Sequence, residues 1–339
     1  MESQVIVTGA SGSIGTYLCD YLGKRNVDVI AWGRRRGPEK FFADRNILYQ
    51  VIKLDDITSA DLSYIKPGAS VVHLAGPMPS TMKGYSPSVY VSDIISKTLN
   101  LLKLCVDIDI KKFVFSHTRA DSNRYVSWFK TVPSDVHRSF PKTGDHSIYA
   151  ICKNAAVDLI NHFYYEHAIS RYIIRLPTVY QYHPNKYFYV NGEKKIIAYR
   201  KIIDDAINNR TVEIWGDPMK EKEIVYIEDV CQLILRCLRS DKDGGIYNAG
   251  AGRGVTLKEQ VLGIVEVFSS GDAVPKVSYR PEKPDAREFI HDITKPRREL
   301  GYKPEYDYMS LLRAFKKEME LQRFRDVWGT EEDFDNHYN

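Results

Sequence analysis

The chain has 339 residues, of which 43% are hydrophobic and 27% charged, and its net charge is +4. That length suits one large α/β unit plus a smaller appendage, and so small a charge, spread along the chain, argues against a nucleic-acid partner. No apolar run approaches the roughly 20 residues that cross a bilayer, so no membrane partner is expected; the five cysteines lack CxxC spacing and read as buried hydrophobes of a reducing compartment, which points to the cytoplasm.

The first element is a β-branched run, Gln4-Val5-Ile6-Val7. It leads through Thr8 into Gly9-Ala10-Ser11-Gly12-Ser13-Ile14-Gly15 and then a helix-like stretch from Thr16 to Leu22. A strand, three glycines and a helix start form the usual seat of a dinucleotide pyrophosphate, because glycine lets the backbone approach the phosphates and the helix start offers free N–H groups. Strand patterns recur at Val27–Trp32, Ile47–Leu54, Ser70–Leu74, Lys112–Phe115 and Arg171–Leu176, alternating with helical patterns at Asp93–Val106 and Ile148–His167. Such alternation predicts an α/β fold, a doubly wound parallel sheet of Rossmann type. After Tyr180 the rhythm breaks. Gln181–Arg200 is rich in tyrosine, lysine and asparagine, with a loop signal at Asn191-Gly192. Tyr226–Leu238, Thr256–Val267 and Met309–Arg325 read as helical, and Ile246–Gly250 as one more strand. We therefore expect a dinucleotide-binding part over 1–178 and a smaller α/β substrate-binding part over 179–339, with 226–250 returning to the first.

Tyr149 and Lys153 stand four apart on one predicted helix face. A neighbouring ammonium favours phenolate, so the pair predicts a tyrosine brought down from about 10 towards neutrality, able to exchange a proton with an alcohol or ketone. Upstream, Phe113–Phe115 ends in Ser116-His117-Thr118, a strand terminating in hydroxyls. No metal-ligand spacing stands out.

The Gly-x-x-Gly-x-x-Gly loop, Tyr149-x-x-x-Lys153 and the upstream hydroxyl strand together resemble the extended short-chain dehydrogenases, the nucleotide-sugar epimerase/dehydratase family. Further matching segments are Val72–Gly76, Arg175–Tyr180, Val225–Val230, Tyr247–Gly250 and Glu299–Pro304, so the likeness runs from Val5 to about Pro304. It implies that Thr118 hydrogen-bonds the reacting oxygen, with Ser116 as the alternative, beside Tyr149 and Lys153. It implies a cofactor site of Gly9, Ser11, Gly12, Ser13, Ile14, Gly15, Asp56, Ile57, Leu74, Ala75, Gly76, Pro177 and Val179, together with Tyr149 and Lys153; Asp56 could equally be a helix cap. Substrate contacts would fall to Thr118, Thr178, His183, Lys222 and Arg280, with Lys283 competing for the place of Arg280. Helices 93–106 and 148–167 would pair across a two-fold axis in a homodimer.

Where NAD-specific relatives end the second strand in an acid, this chain reads Gly33-Arg34-Arg35-Arg36. Guanidiniums there suit the 2′-phosphate of NADP, with Arg34 as first contact and Arg35 next, and NAD as the alternative cofactor. Thr118 is followed by Arg119-Ala120 and not by the Asp-Glu of 4,6-dehydratases, which removes that reaction. The cysteine and histidine of fucose-type synthases would fall on Ala120 and His183, a broken pair. The expectation is an NADPH-dependent reductase of a nucleoside-diphosphate 4-keto-6-deoxy sugar. A 4-epimerase with bound NAD is the alternative, and a non-enzymatic NADP sensor is disfavoured because the Tyr149/Lys153 pair is kept. The tyrosines 180, 182, 187, 189 and 199 suit either nucleobase stacking or packing.

Overall fold

The computed structural model describes residues 3–57, 60–127, 129–190, 192–270, 274–285 and 288–336. Seven parallel strands form its centre: β1 (Val5–Thr8), β2 (Val29–Gly33), β3 (Leu48–Val51), β4 (Ser70–His73), β5 (Lys112–Thr118), β6 (Ser170–Leu176) and β7 (Gly244–Asn248). They lie in the order β7-β6-β5-β4-β1-β2-β3. Alternation along each strand divides the core in two. Val5, Val7, Val72, Val114 and Ile174 face Tyr17, Leu18 and Leu22 of helix α1 (Ser13–Gly23) and the helix Ile227–Arg239. Ile6, Val71, Phe113, Phe115 and Ile173 face Leu101, Leu102 and Cys105 of α2 (Lys97–Asp107) and Cys152, Ala156 and Ile160 of α3 (Asp145–His167). Both faces are covered, which is the condition for a parallel sheet.

The chain builds outward from β1 to β3 and then crosses back to place β4 on the other side of β1. That reversal opens a crevice at the carboxyl ends of β1 and β4, where folds of this kind bind ligands. Buried His73 holds the two strands and α2 in register. One ring nitrogen meets the Thr8 hydroxyl at 2.7 Å and the other the Thr98 hydroxyl at 3.1 Å. Burial lowers the ring to about 3, so it stays neutral between them.

The strand and helix patterns expected from sequence all appear, with differences of extent; the strand expected over Ile47–Leu54, for example, covers only Leu48–Val51. The helical region expected at 93–106 starts at Pro87, and Val91–Ser96 is a wide π turn leading into α2. The helix expected over 309–325 spans Tyr308–Leu321 and stops where Gln322 turns left-handed (φ 45°); a separate turn follows at Arg325–Trp328. The irregular stretch after Tyr180 contains an antiparallel hairpin, Tyr187–Val190 with Glu193–Ile196, and a helix at Ala198–Ile207. Asn191 of its turn lies outside the described residues.

Three short pairings carry the second part: Val179–Tyr180 with Val225–Tyr226, Glu221–Lys222 with Val255–Thr256, and Val212–Trp215 with Val277–Arg280. Tyr180 stacks on Tyr199 with centroids 4.0 Å apart, and Tyr182 meets Phe315 edge-on, so these tyrosines serve packing. Tyr187 donates to Asp335. All five cysteines are buried and free. No helix among the described residues is long and apolar enough to cross a membrane.

Candidate functional site

The glycine loop turns at the carboxyl end of β1. Gly9 has φ 72°, and a Cβ there would meet the Ala75 nitrogen at 2.9 Å; a Cβ on Gly15 would lie 2.2 Å from the Gly9 carbonyl. Both close approaches require glycine. Gly12 caps α1 without a side-chain hydrogen bond, and the first turn holds no acidic residue. The result is a set of helix-start amides open to an anion, with Ser11, Ser13 and Ile14 around it and Leu74, Ala75 and Gly76 following β4 on the facing wall. A dinucleotide cofactor fits this cradle, because only glycines allow the tight turn that leaves the helix-start amides facing its pyrophosphate.

At the end of β2, Gly33 leaves room for Tyr49, whose hydroxyl donates to the Arg35 carbonyl at 2.8 Å. The Arg35 guanidinium turns back and donates to the Ser11 carbonyl, also at 2.8 Å. Arg34 and Arg36 are exposed beside it. Ile57 is buried, Asp56 is exposed, and Pro177 and Val179 follow β6, with Val179 paired to Val225.

Helix α3 brings Tyr149 and Lys153 beneath the end of β5. Lys153 is buried, and its Nζ donates to the Ser116 carbonyl at 2.8 Å and lies 5.9 Å from the Tyr149 ring centre. Burial lowers the ammonium to about 7. Burial also raises the Tyr149 phenol well above 10. The expected downward shift of Tyr149 is therefore absent from this structure: the amine is turned to a backbone carbonyl, and loss of solvent outweighs its attraction. Thr118 ends β5, and its hydroxyl accepts the Ala120 amide at 3.1 Å. Ser116 instead turns its hydroxyl to the His73 carbonyl at 3.3 Å.

Behind Thr118 runs a buried ionic network. Arg175 donates to both Asp121 oxygens, at 2.9 and 2.8 Å, and to Asn248 Oδ1 at 2.9 Å. Asp121 also meets His117 Nε2 at 3.1 Å. Burial opposes the Asp121 charge, but His117 and Arg175 prevail and hold the carboxyl below its usual range. His117 is lowered, first by burial, although Asp121 pulls the other way. Asn248 secures the far side by donating to the Val132 and Asp292 carbonyls at 2.9 and 3.0 Å. A second buried pair joins Glu223 and His291 Nδ1 at 2.5 Å, and Glu223 also accepts the Gly252 amide.

The proposed substrate residues separate. Lys222 is half-buried and lowered by burial and by the Arg119 charge, so two cations face one region just beyond Thr118. The Arg119 guanidinium lies 5.0 Å from the Phe289 ring centre, and Phe289 bridges to Lys222. Arg280 instead pairs with Glu213 at 2.9 Å on an exposed strand, and Lys283 lies over Trp215. Thr178 accepts the Val225 amide on its carbonyl. His183 is taken up by packing: its ring is 4.6 Å from Trp328 and 5.7 Å from Phe334, and burial lowers it to about 3. Among the described residues, no group of three or more His, Cys, Asp or Glu could hold a metal ion.

Sequence reasoning overlooked Asp121, Glu223 and His291, and treated His117, Arg175 and Asn248 only as members of matching segments. A charged or amide residue inside an otherwise apolar strand, as at Arg175 and Asn248, is the signal that could have found two of them.

The model of the NAD dependent epimerase/dehydratase family matches residues 5–250. The chain belongs to that family. It is 25% identical to a putative UDP-glucose 4-epimerase of Methanocaldococcus jannaschii, over 89% of this chain and 94% of the relative. It is 25% identical to CDP-abequose synthase of Salmonella typhimurium, over 91% and 95%. The crystal structure of UDP-glucuronic acid 4-epimerase from Bacillus cereus in complex with NAD superposes with a TM-score of 0.70 at 20% identity, covering 94% of this chain and 99% of that one, a likeness of fold.

Proposed function

We propose that this member of the epimerase/dehydratase family is an NADPH-dependent reductase of a nucleoside-diphosphate 4-keto-6-deoxy sugar. The observation that carries this reading is the end of β2. Gly33 is followed by three arginines and no carboxylate, and Arg34 and Arg36 are exposed with no ion pair among the described residues. A carboxylate there would repel a 2′-phosphate, whereas guanidiniums bind one bidentately. With Arg35 turned to Ser11, Arg34 and Arg36 are the better-placed pair.

When bound, the cofactor supplies the hydride for the carbonyl carbon. The chain's own residues do the rest. Tyr149 donates its phenolic proton to the carbonyl oxygen, and its raised proton affinity keeps that proton in place until charge develops. Thr118 offers a hydroxyl proton to the same oxygen. Lys153, held on Ser116, places its amine beneath the reacting pair. Lys222 and Arg119 together suit a diphosphate, and residues 179–339 supply most of the substrate pocket. Val91, Val106, Ile151 and Tyr165 are exposed on the helical faces of 91–107 and α3, which fits a homodimer through those helices. The buried free cysteines fit a cytoplasmic setting.

A second reading, a 4-epimerase with bound NAD, is favoured by the name of the archaeal relative. Purified protein offered NADPH or NADH with a panel of nucleoside-diphosphate 4-keto-6-deoxy sugars separates the two. Stoichiometric NADPH loss with one sugar supports the reductase. Interconversion of sugar epimers without added cofactor would replace it with the epimerase.

A further inference from the structure

The Ser11 carbonyl, inside the glycine loop, accepts from two side chains. Arg35 Nη2 donates to it at 2.8 Å and Trp328 Nε1 at 3.3 Å. Ser11 is buried, so its carbonyl needs a partner from the protein. A carbonyl oxygen has two lone pairs, which seats both donors at once and lets either one alone satisfy it.

The two donors are anchored unequally. Arg35 is an exposed residue beyond the end of β2, its backbone fixed by the Tyr49 hydroxyl on its carbonyl at 2.8 Å. Trp328 is 6% exposed, with its ring centre 4.6 Å from His183, 4.9 Å from Phe324 and 5.8 Å from Tyr17 of α1. The chain on either side of it is tied down as well. Arg323 donates to Asp20 of α1 at 2.6 Å, while Glu331 accepts from Arg200 at 2.5 Å and Asp335 from Tyr187 at 2.6 Å. The indole is a fixed donor, and the guanidinium is one that can turn away.

We propose, on the NADPH reading of the cofactor, that Trp328 sets cofactor specificity by holding the Ser11 carbonyl when Arg35 turns from it to the 2′-phosphate. Arg35 then joins Arg34 and Arg36 as a third guanidinium and exchanges a neutral acceptor for a charged one, the stronger hydrogen bond. Without the indole, the same turn would leave a buried carbonyl unpaired, and that cost would fall on NADPH alone. NADH carries a plain hydroxyl at that position and gives Arg35 no anion to leave for. Trp328 acts through Ser11 and Arg35, as a positioning residue.

The test is calorimetry on the full chain and its Trp328→Phe, Arg35→Ser and double variants, each titrated with NADPH and with NADH. Trp328→Phe keeps an aromatic ring in the packing and removes the donor. It should weaken NADPH binding about tenfold and leave NADH binding within about twofold. In the Arg35→Ser background no donor leaves the carbonyl on binding, so adding Trp328→Phe should move the NADPH-to-NADH ratio no further. Equal loss for both cofactors would make Trp328 a general prop of the glycine loop and overturn the proposal. So would no loss, or a selective loss that persists without Arg35. Should Trp328→Phe lose its melting transition, the wild type decides: NADPH, and not NADH, should shift an indole N–H resonance downfield as the carbonyl is left with a single donor, and no such shift overturns the proposal. The NADPH preference is judged separately, on the wild type: binding NADPH no tighter than NADH removes that preference, whereas the role of Trp328 is read from the ratio of each variant to the wild type. A wild type that binds no NADPH overturns both.

Discussion

Lys153 donates its Nζ to the backbone carbonyl of Ser116, 2.8 Å away, from a site that is 3% exposed. Burial lowers the amine from its ordinary 10.5 to about 7. Between those values the unfolded chain binds more protons than the folded one, so stability rises with pH across that window; the burial penalty is fully present below it. The thermal unfolding midpoint should therefore climb from about pH 7 to about pH 9. Lys153→Met should flatten that climb and abolish turnover, which a melting series at several pH values checks.

Tyr149→Phe removes the proton donor and leaves the glycine loop untouched. The expected loss in kcat is about 100- to 10,000-fold, the usual worth of a positioned general acid. Cofactor binding, measured by calorimetry, should be retained.

The glycine loop has no room for a side chain at Gly15. Gly15→Ala would place a Cβ 2.2 Å from the Gly9 carbonyl. The loop must then shift at a cost of about 1–3 kcal/mol, as overpacking does elsewhere. Calorimetry should show cofactor affinity lost while circular dichroism shows the helices kept.

Asp121→Ala leaves the Arg175 guanidinium, 0% exposed, without its counter-charge. Breaking a buried pair on one side costs about 3–5 kcal/mol, which urea denaturation would register.

Cofactor choice should follow the arginines. The double variant Arg34→Ser, Arg36→Ser removes charge-assisted hydrogen bonds worth about 1.5–3 kcal/mol each. NADPH affinity should fall at least about tenfold while NADH affinity holds, a tenfold change being about 1.4 kcal/mol. Equal loss for both cofactors would mean that the arginines do not read the phosphate.

The β/α rhythm, the glycine loop and the Tyr149/Lys153 pair were legible because each depends on near neighbours along the chain. Val5 and Val7 alternate with Ile6 by the pleat of a strand, and Tyr149 and Lys153 share a face by the pitch of a helix. The state of that pair was not legible, since burial, which decides it, is set by the packing of α3 against β5. Nor were the partners of the ionisable groups. Arg175 meets Asp121 across 54 residues of sequence, Glu223 meets His291 across 68, and the Trp328 indole reaches the Ser11 carbonyl across 317. Periodicity carries no information at those separations. Sequence alone thus determined which residues could do the chemistry, and tertiary packing decided which of them lost water, found a counter-charge or were diverted, as His183 was, into packing against Trp328.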